Sequence, residues 1–187
     1  DIINELLDIA RIEARRGKDF NIEAVSLPPL LASVIEALQI DQQRWPLSLQ
    51  CPDHLPNVRA DAAKLRQALT NVLANAVKYS PSGGPINILC ATSLANGRTH
   101  VNINITDHGI GMTPDQVARV CERFYRADTS GNIPGTGLGM AIVKEILELL
   151  GGSVNIQSSP NQGTTIHLQL PAPADNAPAG ERKEDRP

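Results

Sequence analysis

The chain has 187 residues, 41% of them hydrophobic and only 3% aromatic, with a formal net charge of −3. That is enough apolar material for one domain of ordinary size, with a core built from Leu, Ile, Val and Ala. The shortage of aromatic rings and the lack of a Lys and Arg excess exclude a stacking platform for single-stranded nucleic acid and a surface that neutralises phosphate backbones or anionic lipid.

In chain order, Asp1 to Arg16 places Ile2, Leu6 and Ile9 on one line and Ile3, Leu7, Ala10 and Ala14 on the next, a wide helical stripe that Gly17 ends. A stripe this wide fits a bundle or dimerisation helix, or a helix packed on its own domain. Phe20 to Val25 reads as an edge strand. The next helix opens with Pro28 and Pro29 and turns Leu30, Leu31, Val34, Ile35 and Leu38 inward. Leu47 to Cys51 is a short strand. A helix from about Asp61 to Tyr79 buries Leu65, Ala68, Leu69, Val72, Leu73 and Ala76, and Ser80 to Gly84 breaks it.

Strands at Ile86 to Ala91 and Thr99 to Thr106 follow, joined by a turn at Asn96 and Gly97; the second alternates Val101, Ile103 and Ile105 with Asn102, Asn104 and Thr106. A short helix near Pro114 to Glu122 leads through an irregular stretch to Pro134, and a second helix runs from Gly137 to Leu150. Ser153 to Ser158 and Thr164 to Leu170 form a last hairpin. Beyond Pro171 the chain is Ala, Pro and charge, which predicts a disordered tail. This order predicts an α+β fold: a two-layer α/β sandwich whose mixed, mostly antiparallel sheet of about five strands is covered on one face by about three helices.

Cys51, Cys90 and Cys121 lie far apart with no C-x-x-C pair, so they read as reduced apolar residues and not as a disulfide framework or zinc site. No apolar run is long enough to cross a bilayer and no signal-peptide pattern opens the sequence, so a soluble, cytoplasmic-type chain is expected. Asp1 has no initiator Met before it and the periodic pattern begins at once, which suggests a piece of something longer.

Three motifs have the make-up for chemistry. Asn71, Asn75 and Lys78 share one helix face by their i, i+4, i+7 spacing, opposite the leucines. Amide oxygens suit Mg²⁺ and an ammonium suits phosphate, though the same residues also make a solvated polar face. Asp107-His108-Gly109-Ile110-Gly111 closes an alternating strand, where a carboxylate can accept from an exocyclic amine; plain hairpins use the same turn. Gly135-Thr136-Gly137-Leu138-Gly139 opens an apolar helix, so its N–H groups form an anion site or a flexible loop that meets a helix. It is neither a Rossmann fingerprint nor a P-loop.

In this order Asn71 to Pro81 (NVLANAVKYSP), Asp107 to Met112 (DHGIGM), Glu122 to Asp128 (ERFYRAD), Gly135 to Val143 (GTGLGMAIV) and Gly163 to Thr165 (GTT) resemble the N, G1, F, G2 and G3 boxes of sensor histidine kinases. That family shares its nucleotide-binding fold with gyrase, mismatch-repair and heat-shock chaperone ATPases. The resemblance runs from Phe20 to Pro171. It implies that Asn75 ligates Mg²⁺, that Asn71 and Lys78 lie near the phosphates of ATP, and that Tyr79 packs on the adenine. Asp107 would read the adenine amine, with Gly109 and Gly111 shaping its pocket and Thr164 supporting it. Gly135, Thr136, Gly137, Leu138 and Gly139 would hold the triphosphate. Arg123 and Arg126 are implied phosphate contacts from the covering segment, with Phe124 anchoring it. His108 stands where the family usually has Asn and reads as a surface histidine, and the short segment from Asp128 to Pro134 implies a small lid.

The family's ATPases carry a Glu one turn before the Mg²⁺-binding Asn, and here that position is Asn71, which cannot take a proton. The resemblance therefore implies phosphoryl transfer over hydrolysis. The acceptor would be a His on the kinase's own dimerisation hairpin, and none of His54, His100, His108 or His167 has its context. Residues 1–17 resemble the end of that hairpin's second helix, 18–171 the ATP-binding catalytic domain, and 172–187 a tail. The implied partners are ATP, the hairpin, a response regulator and a second copy in a full-length homodimer, with membrane contact only through regions outside this chain. A serine kinase of the same fold and an ATP-binding scaffold without transferase activity are the alternatives.

Overall fold

The computed structural model describes residues 6, 7, 9, 10, 14, 17–95, 97–127 and 133–173. The continuous N-terminal helix, lid residues 128–132 and the tail beyond 173 expected from the sequence lie outside these. In chain order the elements are β1 (Glu23–Val25), α1 (Leu27–Leu38), β2 (Leu47–Gln50), β3 (Val58–Ala60), α2 (Ala62–Lys78), β4 (Ile86–Ala95), β5 (Arg98–Asp107), α3 (Pro114–Arg119), α4 (Gly139–Leu149), β6 (Ser153–Ser158) and β7 (Thr164–Pro171). Among the described residues no helix is long and apolar enough to cross a membrane.

Five strands form one mixed sheet in the order β2-β4-β5-β7-β6. Only β2 and β4 run parallel; the other neighbours are antiparallel. Period-two alternation turns Ile86, Ile88, Ile103, Ile105, Leu168 and Leu170 toward the helices, where each is buried. The opposite face carries amides and hydroxyls that bond across the strands, among them Asn102 to Ser93 at 2.9 Å and Gln169 to Asn102 at 3.1 Å. This is the two-layer α+β sandwich the sequence predicts.

The helix that matters most is α2. Asp61 caps its N-terminus, with Oδ1 accepting from the Ala63 and Lys64 N–H groups at 3.0 Å each. The other oxygen, Oδ2, accepts from the Asn21 N–H at 2.9 Å and so ties the segment before β1 to the same point. Leu65, Leu69 and Leu73 are fully buried against α1, α4 and the sheet. At roughly 1.5–3 kcal/mol for each buried leucine, the three together match the net stability of a typical domain. The polar face of α2 is therefore held as rigidly as the core itself.

Sequence and structure differ locally in ways with clear causes. β3 was absent from the sequence reading because three residues give no periodicity; it exists because Val58 to Ala60 pairs antiparallel with β1 in a small separate sheet. The short helix ends at Arg119 instead of Glu122, because the Glu122 N–H bonds the Arg119 carbonyl at 2.7 Å and closes a tighter turn there. The last helix begins at Gly139 instead of Gly137, whose φ of +76° keeps it out of the helix. All three cysteines are free, and burial pushes the Cys90 and Cys121 thiols up, with a Cys51 hydrogen bond adding to the effect at Cys90. Cys90 lies in the core, and Cys51 and Cys121 pack against it.

Removing the α2 cap by Asp61→Ala is expected to lower stability by about 1–2 kcal/mol. Urea unfolding followed by circular dichroism measures this, and an unchanged midpoint contradicts the capping role.

Candidate functional site

The polar face of α2 opens into a cavity of about 280 Å³. Asn71, Asn75, Lys78 and Tyr79 line one wall, and Gly135, Thr136, Gly137 and Gly139 line another. The two walls touch. Asn71 Nδ2 donates to the Gly139 carbonyl at 3.4 Å, and a Cβ built on Gly139 would lie 3.9 Å from Asn75 Nδ2. Lys78 Nζ lies so close to Gly135 that a Cβ there would fall 2.3 Å from it, and the ammonium also sits 4.7 Å from the centre of the Tyr79 ring. Two amides and a cation therefore face the positive N-terminal end of α4.

Asp107 ends β5 on the adjoining side of the cavity and is only 7% exposed. Its Oδ1 accepts from the Gly109 N–H at 2.9 Å and the Thr164 N–H at 3.2 Å, while Oδ2 takes no hydrogen bond from the described residues. Burial raises its pKa above the usual 3.8, against the opposing pull of these two N–H groups and of His108. That leaves Oδ2 open to the cavity as a hydrogen-bond acceptor. Gly163 makes the arrangement possible: its φ is +84°, and a Cβ there would fall 2.0 Å from the Asp107 carbonyl oxygen. Gly111 and Thr164 line the same side, whereas Gly109 holds the Asp107 turn from outside the lining.

The glycine-rich entry divides by role. The Leu138 side chain is fully buried in the core and its N–H donates to Thr136 Oγ1 at 3.2 Å, so Leu138 anchors the entry from behind while Gly135, Thr136, Gly137 and Gly139 face the cavity.

The covering segment differs most from expectation. Phe124, expected as its anchor, is 59% exposed and outside the cavity. Within this segment it is Tyr125 that lines the cavity, with the Arg119 guanidinium 4.3 Å from its ring centre. The turn at Phe124 exchanges the two rings, because its positive φ reverses which side chain points inward. Neither Arg123 nor Arg126 lines the cavity, and Arg126 Nη2 donates to the Ile133 carbonyl at 2.5 Å. The cavity also has an apolar floor of Ile105, Ile110, Met112, Met140, Ile156 and Ile166, of which Ile105, Ile156 and Ile166 lie outside the sequence motifs. The strand alternation already carried that signal, since inward residues at strand ends must meet whatever lies beside the core.

The donor set suits a magnesium ion held jointly with phosphates. No cluster of three or more His, Cys, Asp or Glu residues that could cage a metal occurs among the described residues. Neutral amide oxygens beside a lysine and a helix N-terminus instead fit an ion that arrives with its own anionic ligands. The residues present fit the group.

Comparison with known proteins agrees with this geometry. Residues 60–174 match the family described as histidine kinase-, DNA gyrase B-, and HSP90-like ATPase. The chain is 31% identical over 173 residues to the sensor histidine kinase WalK of Bacillus subtilis, covering 91% of this chain and 28% of WalK. Full-length ShkA, solved in complex with AMPPNP, superposes with a TM-score of 0.72 at 30% identity over 92% of this chain and 36% of that one. The mycobacterial sensor histidine kinase MprB superposes with a TM-score of 0.65 at 30% identity over 81% of this chain and 97% of that one. The chain thus spans well under half the length of WalK and ShkA. With the family's signature spread over both cavity walls and the fold shared with MprB and ShkA, this chain belongs to the histidine kinase-, DNA gyrase B-, and HSP90-like ATPase family.

Proposed function

We propose that this domain binds Mg²⁺-ATP and transfers the γ-phosphoryl group to a histidine on the dimerisation hairpin of its own kinase, from which a response-regulator aspartate receives it. One observation carries the choice of transfer over hydrolysis. Among the described residues lining the cavity, the only acid is Asp107, and it is tied to the Gly109 and Thr164 N–H groups. Asn71 and Asn75 are amides, and in this reading the open Oδ2 of Asp107 is taken up by the adenine amine, so no acid beside the phosphates orients and deprotonates a water.

In this reading Asp107 Oδ2 accepts the adenine amine, Tyr79 and the apolar floor hold the ring, and Gly135, Thr136, Gly137 and Gly139 face the phosphates. Asn75, with Asn71 beside it, would hold Mg²⁺, which supplies charge neutralisation on the phosphates when bound. Lys78 holds the transferring end of the triphosphate beside Gly135. The reaction breaks the bond from the γ-phosphorus to its bridging oxygen and forms one to an imidazole nitrogen, so positioning and fixed positive charge supply most of the rate. Arg123 and Arg126 would reach the phosphates only after the covering segment closes. Residues 1–17 would be the end of the hairpin helix, with Ile9 already 4% exposed among the core residues while Leu6 and Leu7 stay 39% and 47% exposed. Residues 18–171 would be the catalytic unit.

Mixing the folded chain with its separate hairpin and labelled ATP tests the reading. Phosphate on the hairpin that is acid-labile and base-stable supports it, acid-stable phosphate points to a serine kinase, and absence of label to an ATP-binding scaffold. In the full-length kinase, Asn75→Ala is expected to lower autophosphorylation by at least about a hundredfold with the fold intact; retained, normally Mg²⁺-dependent phosphorylation contradicts the role of Asn75.

Asp107→Asn separates binding from folding. Burial raises the Asp107 pKa, so the folded chain holds that proton more tightly than the unfolded one, and carrying the charge costs stability above the folded pKa. That cost fades as pH falls through the folded value and is gone below 3.8. The variant is expected to unfold at an equal or higher temperature at pH 7, with the difference closing toward pH 4, while affinity for AMPPNP by calorimetry drops about tenfold or more. Loss of stability at pH 7 without loss of affinity runs opposite to both expectations.

A further inference from the structure

The turn that follows α2 is fastened to the segment that precedes β2. Trp45 Nε1–H donates to the Ser80 carbonyl at 2.9 Å, the Arg44 guanidinium donates to the Pro81 carbonyl, and the Gly84 N–H donates back to the Arg44 carbonyl at 2.9 Å. Arg44 also stacks on the Trp45 ring, 4.5 Å from its centre. Neither Trp45 nor Arg44 lines the cavity.

One residue before Ser80, the chain enters the site. Tyr79 lines the cavity, and its carbonyl accepts the N–H of Ile110, which also lines it, at 2.9 Å. The fit there is close: a Cβ on Gly109 would lie 2.1 Å from the Tyr79 carbonyl oxygen and 2.8 Å from Ser80 Oγ. Ser80 is 1% exposed and its Oγ has no partner, so the residue is held through its carbonyl and not through its hydroxyl. That carbonyl accepts two bonds, one from Gly83 N–H inside the turn at 2.9 Å and one from Trp45, which reaches it from outside the turn.

We infer that Trp45 is a positioning residue for the adenine side of the site: through the Ser80 carbonyl it fixes Tyr79, and through the Tyr79–Ile110 bond it fixes the turn that carries Asp107. The inference rests on the proposed ATP reading. A hydrophobic ring alone does not meet the requirement. Phenylalanine retains an aromatic ring for the Arg44 stack but loses the N–H, so one acceptor site on a buried carbonyl is left empty and the turn is free to shift.

Calorimetry of the folded chain with AMPPNP tests this together with the indole N–H resonance, which belongs to Trp45 alone because the chain has a single tryptophan. Trp45→Phe is expected to weaken AMPPNP binding by about three- to tenfold, the range of one hydrogen bond. In the wild-type chain AMPPNP is expected to shift the indole N–H resonance although Trp45 lies outside the cavity. A purely structural role for Trp45 would lower the unfolding temperature of the variant but leave both signals unmoved, and that result overturns the inference. Should Trp45→Phe fail to fold, the wild-type indole N–H resonance decides alone, and a resonance unmoved by bound AMPPNP overturns the inference. A wild-type chain that binds no AMPPNP overturns the ATP reading and this inference with it, whereas normal wild-type binding with an unaffected variant overturns the inference alone.

Discussion

The burial of one face of α2 is the constraint on which the site depends. Leu65, Leu69 and Leu73 press against the sheet and the neighbouring helices, and because 3.6 residues make a turn, that packing fixes where the opposite face points. Asn71, Asn75 and Lys78 have no freedom to settle elsewhere without pulling leucines into water. The Asp61 cap sets where the helix begins, and Tyr79, with its N–H on the Asn75 carbonyl, sets where it stops. Local chemistry at both ends and packing along the middle thus place one wall of the cavity before any ligand is considered.

The adjoining side of the cavity relies on a polar group whose second oxygen the fold leaves open. Asp107 is nearly buried and accepts two backbone N–H groups on one oxygen only. A sequence shaped for stability alone would place an apolar residue or a fully bonded amide at this strand end. The raised pKa of Asp107 expresses the same cost, and in the proposed function an incoming amine donor offsets it. The cavity is thereby most stable when filled.

Much of this was legible in the sequence. The helix face of Asn71, Asn75 and Lys78, the strand-end position of Asp107 and the glycine-rich entry to α4 all follow from local periodicity and turn chemistry, and the structure brings all of them to one cavity. What was not legible depends on contacts between distant segments. Val58 to Ala60 becomes a strand only because β1 lies beside it, and β2 runs parallel to β4, which no local pattern announces. The exchange of Phe124 for Tyr125 turns on a single positive φ at a residue that is not glycine. The role of Leu138 shows the limit of a motif, since a residue inside a binding signature serves the core instead. The tie from Trp45 to the turn after α2 could not be read at all, because the carbonyl it bonds lies 35 residues away.

The sheet order has a consequence for how the protein comes into being. The last strand among the described residues, β7, lies in the interior of the sheet between β5 and β6. While the chain emerges from the ribosome, β5 therefore presents a bare edge until β7 arrives, and it is exposed to mispairing throughout that interval. Asp107 meets the Thr164 N–H only at that step, across a separation of 57 residues. A nascent chain stopped before β7 would carry the α2 face and the glycine-rich entry and still lack the Thr164 N–H that steadies Asp107.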